Sequence, residues 1–263
     1  MWQKPHYFFI CIFCLKIVNL VLKLRRMKTF FIESKNFNNN QVFVDGEEHN
    51  HLKNVLRLKP GDNVKVVCGD KFDYFCTIDQ INKNNSILII DSKQVNTANP
   101  KANLTAYVAL IKNDKMSLII QKLTELGISN IVPFESRYTV IKDQKNKYEK
   151  LQQISNQSIK QCGRSIPATI MPTINISSIN ISAHDIVLFA NESEQKVMLN
   201  QVIPNADSNV AIIIGPEGGF TEDEKSMLIN KGAKSISLGN RILRAETAAI
   251  MLTTLVLNIL GEF

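Results

Sequence analysis

The chain has 263 residues, of which 44% are hydrophobic and 21% are charged, proportions that are ordinary for a soluble globular protein. Its formal net charge is +7. This charge favours an anionic partner such as nucleic acid, but a compositional bias toward Lys, Asn and Ile explains it equally well. An odd number of cysteines excludes a fully paired disulfide scaffold. We therefore expect reduced thiols, in a cytoplasmic protein, at Cys11, Cys14, Cys68, Cys76 and Cys162.

The first 26 residues stand apart from the rest of the chain. Tyr7 to Leu24 is mostly apolar and has basic residues on both sides, as in a signal peptide or a membrane anchor. However, Lys16 and Asn19 interrupt the run, and no small-residue cleavage site follows it. We favour Met27 as the true start, with residues 1–26 outside the fold and no membrane association. Cys11 and Cys14 form a CxxC pair, but no second pair accompanies it, so we expect no metal site.

Residues 27–96 are predicted to form a small β-barrel domain. Short runs rich in Val, Ile and Phe alternate with turn residues such as Pro60-Gly61-Asp62. One helix is predicted between the second and third strands, from Glu47 to Leu58, because its apolar residues recur at helical spacing. His49 and His51 are interpreted as surface or capping residues. The predicted strands are Phe30–Ile32, Val42–Val44, Val64–Cys68, Phe72–Asp79 and Ile87–Ile90.

After a polar linker at Val95–Ala102, residues 101–263 alternate between strands and helices, which indicates an α/β domain with a mostly parallel sheet covered on both faces. Asn113 or Asp114 is predicted to cap the first helix, which ends at Gly127. Thr221 and Glu224 have the spacing of a capping box. The predicted strands are Leu104–Ile111, Asn130–Phe134, Ile186–Ala190, Val210–Ile214 and Ile236–Leu238, and the other helices are 146–161, 221–232 and 245–260.

Two loops that follow predicted strands have an unusual composition. The first is Gly215-Pro216-Glu217-Gly218-Gly219, where three glycines allow close approach to a ligand or a positive φ. A phosphate cradle, a tight turn and a site for a cationic ligand are all open interpretations. Glu217 disfavours phosphate and suits a sulfonium such as that of S-adenosylmethionine. The second loop, 238–248, carries Arg241 and Arg244, which suit RNA phosphates or a ligand carboxylate, and then Glu246 in a helical first turn, where the helix dipole also suits a carboxylate.

Five segments together resemble the ribosomal RNA small-subunit methyltransferase E family, which belongs to the SPOUT superfamily and methylates N3 of a uridine in 16S ribosomal RNA. They occur in the order and spacing of that family, and they begin after residue 26. The segments are HLKNVLRLKPGD at 51–62, KMSLIIQKLTELGISNIVPFESRYTV at 115–140, QSIKQCGRSIP at 157–167, IGPEGGFTEDE at 214–224 and LGNRILRAETAA at 238–249.

The resemblance implies an N-terminal PUA-like barrel, a C-terminal trefoil-knotted SPOUT domain and a homodimer that acts on 16S rRNA or the small ribosomal subunit. It also implies that S-adenosylmethionine binds near Gly215, Pro216, Glu217, Gly218, Gly219, Leu238, Gly239, Ile242, Leu243 and Arg244. The uridine N3 proton must be removed, so the candidate bases are Glu217 and Glu246. Arg164 and Arg244 are candidates for stabilising the uridine anion or for holding phosphates. RNA is expected to contact Lys53, Arg57 and Lys59.

Three alternative functions compete with this interpretation. A related SPOUT enzyme would methylate a ribose 2′-hydroxyl, and the position of the methyl group would decide between the two. A non-catalytic RNA-binding protein would keep the barrel and lose cofactor affinity. A nicotinamide-dependent Rossmann enzyme would need GxGxxG after its first strand and an acidic residue about twenty positions later, a pattern that the sequence lacks.

Overall fold

The computed structural model describes residues 27–141, 147–192, 194, 199 and 208–263. The chain divides into two compact units between Val95 and Asn96. The apolar run Tyr7–Leu24 and the Cys11–Cys14 pair lie outside the described residues. Within the described ranges, no helix combines the length and the apolar character that a membrane crossing requires.

The first unit is built on one six-stranded sheet. Its strands are β1 (Thr29–Phe31), β2 (Phe37–Asn38), β3 (Gln41–Val44), β4 (Asn63–Val67), β5 (Phe72–Ile81) and β6 (Ser86–Val95), and a short 3-10 turn spans Ser34–Asn36. The strand order is β1-β4-β5-β6-β3-β2, in which β1 pairs with β4 in parallel and the other neighbouring strands are antiparallel. A cluster of buried side chains, including Phe30, Leu52 and Leu88, forms its core.

The helix predicted at Glu47–Leu58 is shorter and less regular than expected. An α-helical turn, α1 (Gly46–Asn50), continues as a π-helical turn at His51–Val55. The regular pattern ends before Arg57, whose φ of +53° lies in the left-handed region. Because a non-glycine residue in that region cannot continue a right-handed helix, the prediction was wrong beyond Val55.

The prediction that His49 is a surface or capping residue was also wrong. Its side chain is buried, and its Nδ1 lies 2.9 Å from the hydroxyl oxygen of the buried Ser86. Its Nε2 lies 3.3 Å from the carbonyl oxygen of Lys83. A buried imidazole is tolerated here because both of its ring nitrogens have partners from the β5–β6 connection.

The second unit contains a sheet in which every strand pair is parallel. The strands are β7 (Leu104–Ala109), β8 (Asn130–Glu135), β9 (Thr169–Ile170), β10 (Ile174–Asn175), β11 (Ile186–Ala190), β12 (Val210–Ile214) and β13 (Lys234–Ile236). Their order is β10-β8-β7-β12-β11-β13, and β9 pairs with β8. The central strands β7 and β12 are buried along their full length, as expected for a sheet that is covered on both faces.

The helices of this unit follow the strands in alternation. They are α2 (Asn113–Leu126), α3 (Lys147–Cys162), α4 (Glu222–Asn230) and α5 (Ala245–Ile259), with 3-10 turns at Ile176–Ser178 and Ile181–Ala183. The capping box of α4 is confirmed, since Thr221 Oγ1 accepts a hydrogen bond from the backbone N–H of Glu224, and the Glu224 carboxylate accepts one from the N–H of Thr221. Gly127 ends α2 with a φ of +117°, also as predicted.

Several predicted boundaries in the second unit were wrong. The strand predicted at Leu104–Ile111 ends at Ala109. The N-cap of α2 is Lys112, and its side chain makes no capping hydrogen bond, so neither Asn113 nor Asp114 is the cap. The strand predicted at Ile236–Leu238 lies two residues earlier, at Lys234–Ile236, where it pairs with β11. The residues after Ile236 are therefore available to form a ligand-binding loop.

The buried Arg164 joins the end of α2 to the start of β8. Its guanidinium donates hydrogen bonds to the carbonyl oxygen of Thr124 at 2.6 Å and to that of Ile128 at 3.1 and 3.2 Å. Burial lowers the pKa of this guanidinium below its usual value. The carbonyls at a helix C-terminus lack intrahelical partners, so a buried cation that binds them stabilises the connection.

We expect Arg164→Leu to lower the free energy of unfolding by about 2–3 kcal/mol, because it leaves buried carbonyls without their charged donor. Urea unfolding followed by circular dichroism measures the change. The control is Lys150→Leu at an exposed position of α3, which should change stability by less than about 0.5 kcal/mol. Equal stability of the two variants would contradict a structural role for Arg164.

Candidate active site

A cavity of about 240 Å³ lies at the carboxyl edge of the parallel sheet. The loops after β11, β12 and β13 meet there because these strands are parallel neighbours. Nine of the ten residues that the resemblance assigns to the cofactor line the cavity: Gly215, Pro216, Glu217, Gly219, Leu238, Gly239, Ile242, Leu243 and Arg244.

The backbone of the glycine loop is shaped by its neighbours. A Cβ on Gly215 would lie 3.0 Å from the ring of Phe220, which itself lines the cavity. That ring is stacked on Phe134 and meets Phe189 edge-on, so it has little freedom to move aside. Gly219 has a φ of +70°, which side chains rarely adopt. The loop is therefore a fixed wall of the cavity.

Charged groups of both signs surround the cavity. The carboxylates of Glu192 and Glu217 belong to the loops after β11 and β12. The cations are Lys225, Arg241 and Arg244. A ligand that carries separate positive and negative groups matches this arrangement better than a plain phosphate does.

Glu217 is held by the start of a neighbouring helix. The ammonium group of Lys115, in the first turn of α2, lies 3.0 Å from the Oε1 atom of Glu217. Both side chains are partly exposed, so the ion pair contributes little to stability. It directs one carboxylate oxygen of Glu217 toward the start of α2 at the rim of the cavity.

Gly218 is the one residue of the predicted cofactor set that does not line the cavity. It borders an adjoining groove together with Arg137, Tyr138, Thr139 and Val140, which follow β8. Glu217 borders both the cavity and the groove.

Two of the predicted catalytic residues are placed outside the cavity lining of this chain. The guanidinium of Arg164 binds the carbonyls at the end of α2. Glu246 lies in the first turn of α5, and its Oε2 atom is buried without a hydrogen-bond partner among the described residues. Arg244, the N-cap residue of α5, and Glu217 do border the cavity.

The three residues expected to contact RNA follow α1 in the first unit. Arg57 and Lys59 are exposed. Lys53 is partly exposed, and its ammonium group donates a 2.8 Å hydrogen bond to the carbonyl oxygen of Asn82. Val55, between them in sequence, exposes 63% of its surface. This surface therefore presents two exposed cations beside an apolar side chain.

Several residues that line the cavity were not assigned to the cofactor from the sequence. Arg241 was predicted to suit RNA phosphates or a ligand carboxylate but was left out of the cofactor set. The strand ending at Ala190 was itself predicted, and the rule that parallel strands present their carboxyl ends on one edge points to the residues after β11 once its neighbours in the sheet are known. The other unassigned residues are Ala190, Asn191, Glu192, Ile214, Phe220, Lys225, Ala245 and Ala248.

Family models match both units. Residues 97–257 match the model described as an RNA methyltransferase domain, and residues 44–91 match the RNA methyltransferase PUA domain. The first match covers more than half of the chain. The chain is thus an RNA methyltransferase by family, with an N-terminal PUA domain.

Curated relatives narrow this class. A protein of Rickettsia conorii named ribosomal RNA small subunit methyltransferase E is 35% identical over 84% of this chain and 91% of its own length. The protein of the same name from Bacillus subtilis is 31% identical over 79% of this chain and 86% of its own length. This chain belongs to the ribosomal RNA small subunit methyltransferase E family.

Solved structures share the fold. A methyltransferase of Legionella pneumophila, crystallised with the bound cofactor SAM, superposes with a TM-score of 0.80 at 26% identity and covers 89% of this chain and 97% of its own. A ribosomal RNA small subunit methyltransferase E of Neisseria gonorrhoeae has a TM-score of 0.82 at 23% identity over 90% and 100% of the two chains, which supports the fold alone.

Proposed function

We propose that this chain transfers a methyl group from S-adenosylmethionine to N3 of a uridine in the 16S ribosomal RNA of the small subunit. The observation that carries the proposal is the cavity between the Gly215–Phe220 and Leu238–Arg244 loops, at the carboxyl edge of the sheet. Family membership supports the RNA substrate. The Legionella pneumophila relative, which holds the same cofactor, supports the methyl donor.

The residues around the cavity fit S-adenosylmethionine. Apolar side chains, among them Leu238 and Leu243, offer a surface for an adenine ring. A Cβ on Gly239 would meet no atom within 4 Å, so the backbone there leaves open space for a ligand. Glu192 and Glu217 suit the sulfonium and ammonium charges of the cofactor, and Arg241 or Arg244 suits its carboxylate.

Bound S-adenosylmethionine supplies a methyl group activated by attachment to a sulfonium sulfur. The chain must prepare the nucleophile, because neutral uracil carries a proton on N3. Glu217 is the proposed base, since its carboxylate borders both the cavity and the adjoining groove and accepts a hydrogen bond from Lys115. The exposed Arg244 is proposed to stabilise negative charge on the uracil oxygens or to hold a neighbouring phosphate. Arg164 and Glu246 carry no step in this proposal.

Gly219→Val should abolish S-adenosylmethionine binding in titration calorimetry, because a β-branched residue at a φ of +70° must rearrange the loop. The control is Gly61→Val in the first unit, where φ is +90° and a Cβ would meet no atom within 4 Å. It carries a similar backbone strain and should leave cofactor affinity unchanged. A folded Gly219→Val variant with normal affinity would remove the glycine loop from the site.

The position of the methyl group can be measured in a bacterium that lacks its own member of this family and expresses this chain. Nucleosides from its small-subunit RNA are separated and fragmented by mass spectrometry. We expect a methyluridine whose methyl group stays with the base fragment and which is absent when Glu217→Gln is expressed instead. A methyl group on the ribose fragment would identify a 2′-O-methyltransferase.

We propose that the PUA domain holds RNA phosphates through Arg57, Lys59 and Lys53. Changing all three to Ala should weaken RNA binding and reduce the slope of log affinity against log salt by about 0.7 for each phosphate that is no longer neutralised. Cofactor affinity should not change. The control changes three exposed lysines elsewhere to Ala and removes the same charge: Lys71, Lys101 and Lys150. Equal slopes for the two triple variants would place the RNA surface elsewhere.

We also propose that the enzyme is a homodimer in the cytoplasm with a trefoil-knotted catalytic domain, as the family resemblance implies. α2 and α5 pack against each other and expose apolar side chains, including Leu118 and Leu255, which supports a subunit interface on these helices. Free thiols at Cys68, Cys76 and Cys162 suit a reducing compartment.

A further inference from the structure

We propose that the groove beside the cofactor cavity holds the target base, with the aromatic ring of Tyr138 as its stacking surface. This inference rests on the proposed function and adds the residues that position the substrate. The groove is bordered by the Arg137–Val140 turn on one side and by Glu217 and Gly218 on the other. Because Glu217 also borders the cavity, a uracil ring in the groove would lie next to both the methyl donor and Glu217, the residue proposed to accept its N3 proton.

The turn that presents Tyr138 is held in place by several hydrogen bonds. The Ser136 N–H donates to the hydroxyl oxygen of Thr139 at 2.9 Å, and the Thr139 N–H donates to the carbonyl oxygen of Ser136 at 3.1 Å. The Arg137 N–H donates to Glu224 Oε1 at 2.8 Å. Since Glu224 also closes the capping box of α4, one carboxylate joins this turn to the helix after the glycine loop. These hydrogen bonds hold the turn that carries Tyr138 in position before RNA binds, so the stacking surface is already organised.

Gly218 allows the glycine loop to lie close to the Arg137–Val140 turn across the groove. A Cβ on Gly218 would lie 3.0 Å from the Cβ of Tyr138 and 3.3 Å from its Cγ. Its φ is outside the left-handed region, so backbone conformation alone does not require glycine here. The glycine is therefore explained by contact with the tyrosine.

The chemistry of the groove suits a nucleobase. Tyr138 remains 50% exposed and Val140 remains 89% exposed, although both follow a buried strand. Arg137 and Lys115 place cations at this edge, where a phosphate backbone would run. Proteins commonly stack unpaired RNA bases on aromatic side chains. Stacking alone accepts any of the bases, and hydrogen bonds from polar groups to the base edge provide the discrimination. The carboxylate of Glu217 borders the groove and can accept a hydrogen bond from N3–H of uracil.

The test measures the affinity of a fluorescent single-stranded oligouridylate for the full chain saturated with S-adenosylmethionine. Tyr138→Ala should weaken binding at least about fivefold, the lower limit for loss of one stacked base. Tyr138→Phe should restore most of the affinity, because the ring remains. The matched control is Tyr148→Ala, which removes a tyrosine of similar exposure from α3 and should have no effect. Cofactor affinity, measured by calorimetry, should be unchanged in all three variants.

Neighbouring glycines provide a second test. Gly218→Ala should weaken oligouridylate binding and leave cofactor affinity intact, because its Cβ displaces Tyr138 and does not face the cavity. Gly219→Val should lose the cofactor.

The outcomes separate this inference from the proposed function. If the wild-type chain binds no S-adenosylmethionine, the proposed function fails. If it binds cofactor and methylates RNA, but Tyr138→Ala binds oligouridylate normally, the groove assignment alone is overturned. If Tyr138→Ala changes the sedimentation of the protein but not its RNA affinity, the groove is a subunit contact, and the assignment of the groove to the target base is overturned.

Discussion

The parallel alignment of β7, β12, β11 and β13 is the constraint on which the site depends. Hydrogen bonding between these strands brings all their carboxyl ends to one edge of the sheet. Segments that are far apart in the sequence, such as Gly215–Phe220 and Leu238–Arg244, therefore become the walls of one cavity. The same alignment places the turn after β8 and the start of α2 on the opposite side of the glycine loop. In the proposed function, the cofactor and the RNA base approach Glu217 from these two sides.

The three glycines of the loop after β12 have different neighbours and roles. Gly215 makes room for the Phe220 ring below the loop, and Gly218 makes room for Tyr138 beside it. Gly219 adopts a backbone conformation that other residues rarely reach. A single short segment thus packs against the core and forms a wall of both the cavity and the groove.

Much of the fold could be predicted from the sequence, because buried parallel strands are continuous apolar runs such as Val210–Ile214, and capping residues have a fixed spacing. The lateral order of the strands could not be predicted, so the sheet-edge rule could not place Glu192 beside the glycine loop, although the strand before it was found. The burial of His49 depends on partners from a distant turn. Arg164 could not be separated from catalytic arginines by sequence, because only the structure shows which carbonyls its guanidinium binds.

A crystal structure of this chain grown with S-adenosylmethionine would show where the cofactor binds. We predict that it occupies the cavity between the Gly215–Phe220 and Leu238–Arg244 loops, with its methyl group directed toward Glu217 and the groove beside Tyr138. A cofactor bound at another edge of the sheet, or with its methyl group turned away from that groove, would contradict the account.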